Sequence, residues 1–323
     1  MALRLGLLST AKINLEILAA AAGTDRVQVV AVASRDAARA ETYAREHGVA
    51  RAHGSYEALL AGPDVDAIYI PLPNGLHHEW TMRSLRAGKH VLCEKPYSRH
   101  PAEVKEAFLL AEESGLVLME AFMYRHHPQT EIVADLVASG GVGWPRMVKA
   151  GFSFELASLD DIRASPELDG GALMDIGCYC VSGLRLICGE PEFATAEQRV
   201  GPTGVDMSLR GALRFPDGMV GLLRCSFEEP RSQELEVVGE GGRLRVEAPW
   251  RVDWGGAVRL EIDGRTKEIA IPEASSYVRE LENLAAAVAG DAPPLLGRAD
   301  ALGQARTIDA LYRSADEGRV ITL

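Results

Sequence analysis

The sequence predicts two domains: an α/β domain on a doubly wound parallel sheet, then an α+β domain on a large, mainly antiparallel open sheet. Three observations predict this. Up to about Ala121, short apolar runs alternate with helical patterns, the signature of βαβ units. From Met147 to Ile271, short strand-like stretches are punctuated by the turns Pro216-Asp-Gly218, Gly239-Glu-Gly-Gly242 and Asp263-Gly264. The length, 323 residues, holds two domains of ordinary size, read here as 1–121 and 122–323.

Leu3–Leu8 reads as the first strand and Lys12–Ala22 as an amphipathic helix. Val27–Ala33 (VQVVAVA) is an almost unbroken apolar run, as a strand covered on both faces requires. Asp36 is placed to cap a helix that runs to about His47, with Gly48 as its terminator. Strand Ala67–Ile70, helix Leu76–Ala87 and strand His90–Cys93 follow. Helix Pro101–Ser114 starts with a favourable proline, and strand Leu116–Glu120 closes the series. In the second domain, Met219–Phe227 and Leu235–Val238 read as strands, and Ala172–Cys188 is a helix interrupting the sheet. Two helices, Ser276–Ala289 and Arg298–Asp316, end the chain.

The residues are 47% hydrophobic and 25% charged, with 34 Lys plus Arg against 46 Asp plus Glu, a net charge of −12. That balance argues against a nucleic-acid partner, which needs a basic face to displace counterions. No apolar run approaches the roughly 18 residues of a membrane span, and the start lacks the layout of a signal peptide. Cys93, Cys178, Cys180, Cys188 and Cys225 are odd in number and scattered, which fits reduced thiols and a cytoplasmic location. Cys178-Tyr179-Cys180 has poor zinc spacing and no nearby histidine, so no metal site is expected.

Gly6-Leu-Leu-Ser-Thr-Ala11 lies where the first strand hands over to the first helix. A dinucleotide pyrophosphate needs close backbone approach and a helix N-terminus at this point. Only Gly6 of the glycine pattern survives, with Ser9 and Ala11 at the other small positions; the Ser9 and Thr10 hydroxyls are candidate phosphate donors. A plain strand–helix turn explains the segment equally well. Ser9 and Ala11 are expected to keep angles that a side chain tolerates, with their amides toward the pyrophosphate. After the second strand stand Ser34-Arg35, where an NAD-specific site usually has an acid for the ribose 2′-hydroxyl. A hydroxyl with a planar cation suits a 2′-phosphate, so NADP(H) is preferred to NAD(H). The alternative is an exposed arginine opening a surface helix.

Four segments carry a family resemblance: Ile70-Pro-Leu-Pro-Asn-Gly-Leu-His-His78, Cys93-Glu-Lys-Pro96, Glu120-Ala-Phe-Met-Tyr-Arg125 and Gly170-Gly-Ala-Leu-Met-Asp-Ile-Gly-Cys-Tyr179. Along nearly its whole length the chain resembles the Gfo/Idh/MocA oxidoreductases. The Asp175…Tyr179 pair resembles the branch of dimeric dihydrodiol dehydrogenases, glucose–fructose oxidoreductase, NADP-dependent xylose dehydrogenases and sugar 3-ketoreductases; many other members carry His where Tyr179 stands. The resemblance implies a Rossmann domain holding NADP(H) through Gly6, Ser9, Thr10, Ala11, Lys12, Ile13, Ser34, Arg35, Pro71, Leu72, Asn74, His77, Glu94 and Lys95. No extended N-terminal arm precedes the first strand, unlike the exported glucose–fructose enzyme, and this again suggests the cytoplasm.

Hydride transfer to a carbonyl needs a proton for the developing alkoxide. A free tyrosine titrates near pH 10, so Tyr179 needs a cation to stabilise its phenolate, and Lys95 is the candidate. Whether Lys95 or Tyr179 delivers the proton stays open. Asp175 and Tyr179, four apart, share one face of a helix, where Asp175 is placed to bind a substrate hydroxyl. Arg163, Tyr124 and Arg125 are further substrate candidates, though Arg125 also reads as a brace to Glu120 or Asp175. His78, His126 and His127 read as structural, and Trp144, Trp250 and Trp254 as packing residues.

The expected activity is an NADP(H)-dependent oxidoreduction of a sugar, sugar derivative or vicinal diol, including trans-dihydrodiol or D-xylose 1-dehydrogenation. The rival reading is a non-catalytic NADP-binding sensor or scaffold. The face of the second sheet turned away from its helix is expected to bury itself in a homodimer or homotetramer.

Overall fold

A computed structural model describes residues 1–323. The chain divides into two compact units: Met1–His126 with Ser275–Leu302, and His127–Ala274 with Gly303–Leu323. The single cut at 121/122 expected from the sequence does not match this division. Composition shifts mark where a chain leaves a domain, but they do not show a later helix returning to it.

In the first unit the elements run β1 (Leu3–Leu7), α1 (Asn14–Ala22), β2 (Val27–Ala33), α2 (Ala37–His47), β3 (Arg51–His53), α3 (Tyr56–Leu60), β4 (Ala67–Ile70), α4 (His77–Arg86), β5 (His90–Glu94), α5 (Pro101–Glu113) and β6 (Leu118–Ala121). The strands are all parallel, in the order β3-β2-β1-β4-β5-β6. The order reverses between β1 and β4, and a doubly wound sheet binds ligands at such a switch point. The expected cap is present: Asp36 accepts from the Arg39 N–H at 3.1 Å, and Gly48 closes α2 in the left-handed conformation. β3 and α3 escaped the sequence reading. One is a three-residue edge strand and the other a single turn capped by Ser55, too short for any period to show.

The second unit contains α6 (Pro128–Ala138), β7 (Pro145–Ser153), α7 (Cys178–Cys188), β8 (Phe193–Val200), β9 (Asp206–Arg214), β10 (Val220–Ser226), β11 (Ser232–Gly239), β12 (Gly242–Val246), β13 (Val258–Ile262) and β14 (Arg265–Ile269). Next come α8 (Ser276–Ala289), which belongs to the first unit and packs there on α1, then α9 (Arg298–Glu317) and β15 (Ile321–Thr322). Nine strands form one sheet, in the order β14-β13-β12-β11-β7-β10-β9-β8-β15, antiparallel except for the β7–β10 pair. α6, another missed element, begins on Pro128 and is capped by the His127 side chain.

Pairing β7 with β10 and β11 puts Val148, Ala150, Phe152, Leu223, Leu235 and Val237 on the buried face, against which α7 packs. The opposite face carries Lys149, Glu236, Arg243 and Arg245 in ion pairs, with Arg224 bridging Glu229 and Glu234. The helical stretch Pro166–Cys188, 23 residues, is long and apolar enough to cross a membrane by length and composition, although Glu167, Asp169, Asp175 and Arg185 interrupt its apolar run. Its most apolar window is 78% buried within the fold, as in a core helix.

Candidate active site

The first unit presents a phosphate cradle at the end of β1. Gly6 admits no side chain without crowding, since a Cβ there would meet Val65 Cγ1 at 3.0 Å and Leu59 Cδ1 at 3.2 Å. Ser9 adopts φ +155°, a range that L side chains rarely occupy, so the expectation of ordinary angles at Ser9 fails. The turn keeps a glycine-like backbone under a serine. Local bonds hold it there: Ser9 Oγ accepts from the Ala11 N–H at 3.1 Å, and the buried Asn14 Nδ2 donates to the Ser9 carbonyl at 2.7 Å. The N–H groups of Thr10, Lys12 and Ile13 have no protein acceptor, which leaves them for an anion at the start of α1.

Beside the cradle, Thr10, Ala38, Arg39, Thr42, Tyr43 and Glu46 line a cavity of about 400 Å³. Ser34, at the end of β2, is buried, and its hydroxyl accepts from the Asp36 N–H at 3.2 Å. Arg35 is exposed and lies against the Tyr56 hydroxyl. Arg39 was missed from the sequence; it lies four residues after Arg35, in the first turn of α2.

Across the sheet, the Glu94 carboxylate at the end of β5 accepts from the Tyr69 hydroxyl at 2.5 Å and from the Lys95 N–H at 3.3 Å. Tyr97 N–H donates to Glu120 Oε1 at 2.8 Å, which anchors the chain just beyond Lys95. Glu94, Lys95 and Asn74 are half-buried, whereas Pro71 and Leu72 are buried. His77, which the resemblance places among the cofactor residues, is fully buried, with Nδ1 2.9 Å from the Pro96 carbonyl and Nε2 2.8 Å from that of Leu72. Burial pushes its imidazole down to about 4. Tyr124 is only 2% exposed, with its ring packed on Phe122. Arg125 Nη1 pairs with Asp300 Oδ1 at 3.3 Å, an acid on α9 that no local spacing could reveal.

The second unit carries the other set. Leu173–Gly177 forms a π-helical turn that leads into α7; Asp175 lies in that turn and Tyr179 in the first turn of α7. The helix expected over Ala172–Cys188 is present, and it opens with an i→i+5 turn, as often happens at functional sites. Gly170 and Gly171 allow the loop before it to pack closely. A Cβ on Gly170 would sit 2.4 Å from the Arg163 carbonyl, and one on Gly171 would sit 2.0 Å from Asp206 Oδ1. Asp206, on β9, is buried; it accepts from the Leu173 N–H at 2.7 Å and the Tyr312 hydroxyl at 2.8 Å, pinning the start of the turn. Nothing in the sequence pointed to it.

Arg163 and Asp175 meet directly, Nε to Oδ2 at 2.8 Å, and Asp161 also bonds the guanidinium at 3.2 Å. The Asp175 charge is the main reason the Arg163 guanidinium titrates above its ordinary value. Tyr179 is 8% exposed; its ring contacts Phe152 at 5.7 Å and Trp250 at 6.3 Å between centroids. Trp250 is fully buried, with Nε1 donating to the Gly151 carbonyl at 3.0 Å. Trp254 differs: it is 39% exposed, stacks edge-on against Phe152 at 6.1 Å, and lies under the Arg231 and Arg251 guanidinium groups. Phe152, which did not stand out in the sequence, thus links the Tyr179 ring to Trp254, which the sequence offered only as a packing residue.

Residues 6–122 match the oxidoreductase family with an NAD-binding Rossmann fold, GFO_IDH_MocA, and residues 130–245 match the GFO/IDH/MocA C-terminal domain. The chain is 42% identical to D-xylose 1-dehydrogenase (NADP(+)) 2 of Haloferax volcanii over 98% of its own length and 99% of the relative's. It is 35% identical to trans-1,2-dihydrobenzene-1,2-diol dehydrogenase of Mus musculus, with coverage of 84% and 81%. Among solved structures, KijD10, a 3-ketoreductase from Actinomadura kijaniata in complex with NADP and TDP-benzene, superposes with a TM-score of 0.92 at 33% identity, covering 97% and 98% of the two chains. The chain belongs to the Gfo/Idh/MocA family and is an oxidoreductase.

Proposed function

We propose that this oxidoreductase uses NADP(H) and acts on a sugar, sugar derivative or vicinal diol. The carrying observation is the set on the π turn and α7: a phenol walled by aromatic rings, one turn from a carboxylate already paired with a guanidinium. Aromatic rings suit the C–H faces of a hydroxylated ring, while Asp175 and Arg163 offer an acceptor and a donor to its hydroxyls. The cofactor reading has separate support. The unbonded amides of Thr10, Lys12 and Ile13 suit a pyrophosphate, and Ser34, Arg35 and the cavity-lining Arg39 suit a 2′-phosphate. The xylose and diol dehydrogenases among its relatives, and the NADP carried by the 3-ketoreductase, point the same way.

When bound, NADP(H) supplies or accepts the hydride. The chain's own residues bind, orient and move the proton. Tyr179 is proposed to exchange it at the phenol oxygen and Lys95 to stabilise the phenolate, with Lys95 itself as the alternative donor. The test is single-turnover hydride transfer from NADPH to a panel of ketosugars. Tyr179→Phe keeps the ring and should cost about 10²–10⁴ in rate, and Lys95→Met should add little to it in the double variant, as coupled groups behave. Full activity in both single variants sinks the assignment. Cofactor binding without turnover on any substrate would instead favour a sensor.

Association through the large sheet into a homodimer or homotetramer is retained as a proposal, to be read by light scattering. The free thiols of all five cysteines support a reducing, cytoplasmic setting.

A further inference from the structure

His77, the first residue of α4, sits fully buried between two loops, one after β4 and one after β5. One ring faces a carbonyl of each, Leu72 at 2.8 Å and Pro96 at 2.9 Å. Pro96 directly follows Lys95, whose far side is already fixed: Tyr69 holds Glu94, and Glu120 holds the Tyr97 N–H. We propose that His77 is a positioning residue for Lys95, tying the turn that carries it to the β4–α4 loop and so setting where the ammonium is presented to the nicotinamide half of the cofactor. This rests on the cofactor reading above.

The chemistry favours a tie over plain packing. A leucine or phenylalanine at this position would offer the Pro96 carbonyl no donor, and burying an imidazole costs solvation that only its hydrogen bond offsets. The uncharged ring carries one N–H; with that proton on Nδ1 it donates to the Pro96 carbonyl at 2.9 Å, and this bond alone ties the Lys95 turn to the start of α4. Without the ring, the Pro96 carbonyl loses its bond to the start of α4.

The test uses His77→Leu and His77→Gln with two ligands, NADPH and 2′-phospho-ADP-ribose, which lacks the nicotinamide. In the ligand-free protein, amide hydrogen exchange over residues 94–98 should quicken about tenfold or more in the leucine variant, as a loosened turn requires. NADPH affinity should fall about tenfold while the fragment binds as in wild type. Hydride transfer should fall about 10–100-fold, the usual effect of a misplaced group. His77→Gln keeps a donor and should fall between wild type and leucine in all three; if the leucine variant does not fold, this comparison alone decides. Equal losses for both ligands, or wild-type exchange at 94–98, would overturn the proposal. Wild-type protein binding neither ligand would overturn the cofactor reading instead, and the exchange result would still stand for or against the tie.

Discussion

Gly171→Ala tests whether the π turn before α7 is held in place from its first residue. Gly171 has φ +120°, and a Cβ there would lie 2.0 Å from Asp206 Oδ1 and 3.2 Å from the Tyr312 hydroxyl. The backbone strain costs about 1–3 kcal/mol. Relieving the clash moves Asp206, and with it the bonds to the Leu173 N–H and the Tyr312 hydroxyl; charge-assisted bonds of this kind are worth about 1.5–3 kcal/mol. With one of the two bonds lost, strain and bond come to about 2.5–6 kcal/mol, or roughly 5–24 °C in melting temperature for a unit of this size. Scanning calorimetry reads that shift, and single-turnover hydride transfer reads the displacement of Asp175 and Tyr179. NADPH affinity, set by the first unit, should barely change. A melting temperature within about 2 °C of wild type would refute the strain argument. A clear destabilisation with normal hydride transfer in the cold would refute the link from Asp206 to the proposed roles of Asp175 and Tyr179.

Arg35→Ala should weaken NADPH about ten- to a hundred-fold by calorimetry and leave NADH unchanged, since one charge-assisted contact is worth about 1.5–3 kcal/mol; Arg39→Ala should act in the same direction, and equal losses for both cofactors would remove the 2′-phosphate assignment. His77 and His126 are pushed down by burial to about 4 and about 3, from 6.5. The unfolded chain therefore binds more protons below pH 6.5, and stability falls from there toward pH 4 by about 1.4 kcal/mol per unit for each group. His126→Gln should flatten that slope in urea titrations; an unchanged slope would assign it to other groups. Glu280, 1% exposed with Oε1 unpartnered, is pushed well above the carboxylate range, first by burial and then by Glu94. Its cost grows as pH rises past 4.5, so Glu280→Gln should stabilise the protein by about 1–3 kcal/mol at pH 8 and much less at pH 5. The opposite order in thermal melts would contradict it.

Elements whose signal is local were legible in the sequence. β2 announced itself by its valines, α2 by Asp36 and Gly48, and α8 by its period. The candidate site was legible only as residue types in motifs. Gly170-Gly171 stood out, but the reason for it, close passage past Arg163 and Asp206, depends on strands distant in the chain. Likewise the partner of Arg125 is Asp300, and the wall of Tyr179 comes from β7 and the loop after β12. The surroundings of His77 were hidden for a related reason: the motif does not show that the Leu72 and Pro96 carbonyls close on its ring.

These placements also weigh on the choice between an enzyme and a sensor. A protein that only reports NADP(H) occupancy needs the cradle at β1, Ser34 and Arg35, all of which belong to the first unit. It gains nothing from a buried aspartate that pins a π turn, from two glycines that bring Arg163 against Asp175, or from a phenol walled by Phe152 and Trp250. Each of these carries a cost. Gly171 holds a strained φ, Asp206 is a buried charge, and a π turn departs from the better-bonded α-helix. Costs gathered around one phenol are what a reaction site retains, because the geometry it needs is not the most stable one available. Replacing Asp206 with Asn keeps its size and removes its charge. It should therefore lower hydride transfer while NADPH affinity stays at the wild-type value, a separation that no cofactor sensor would show.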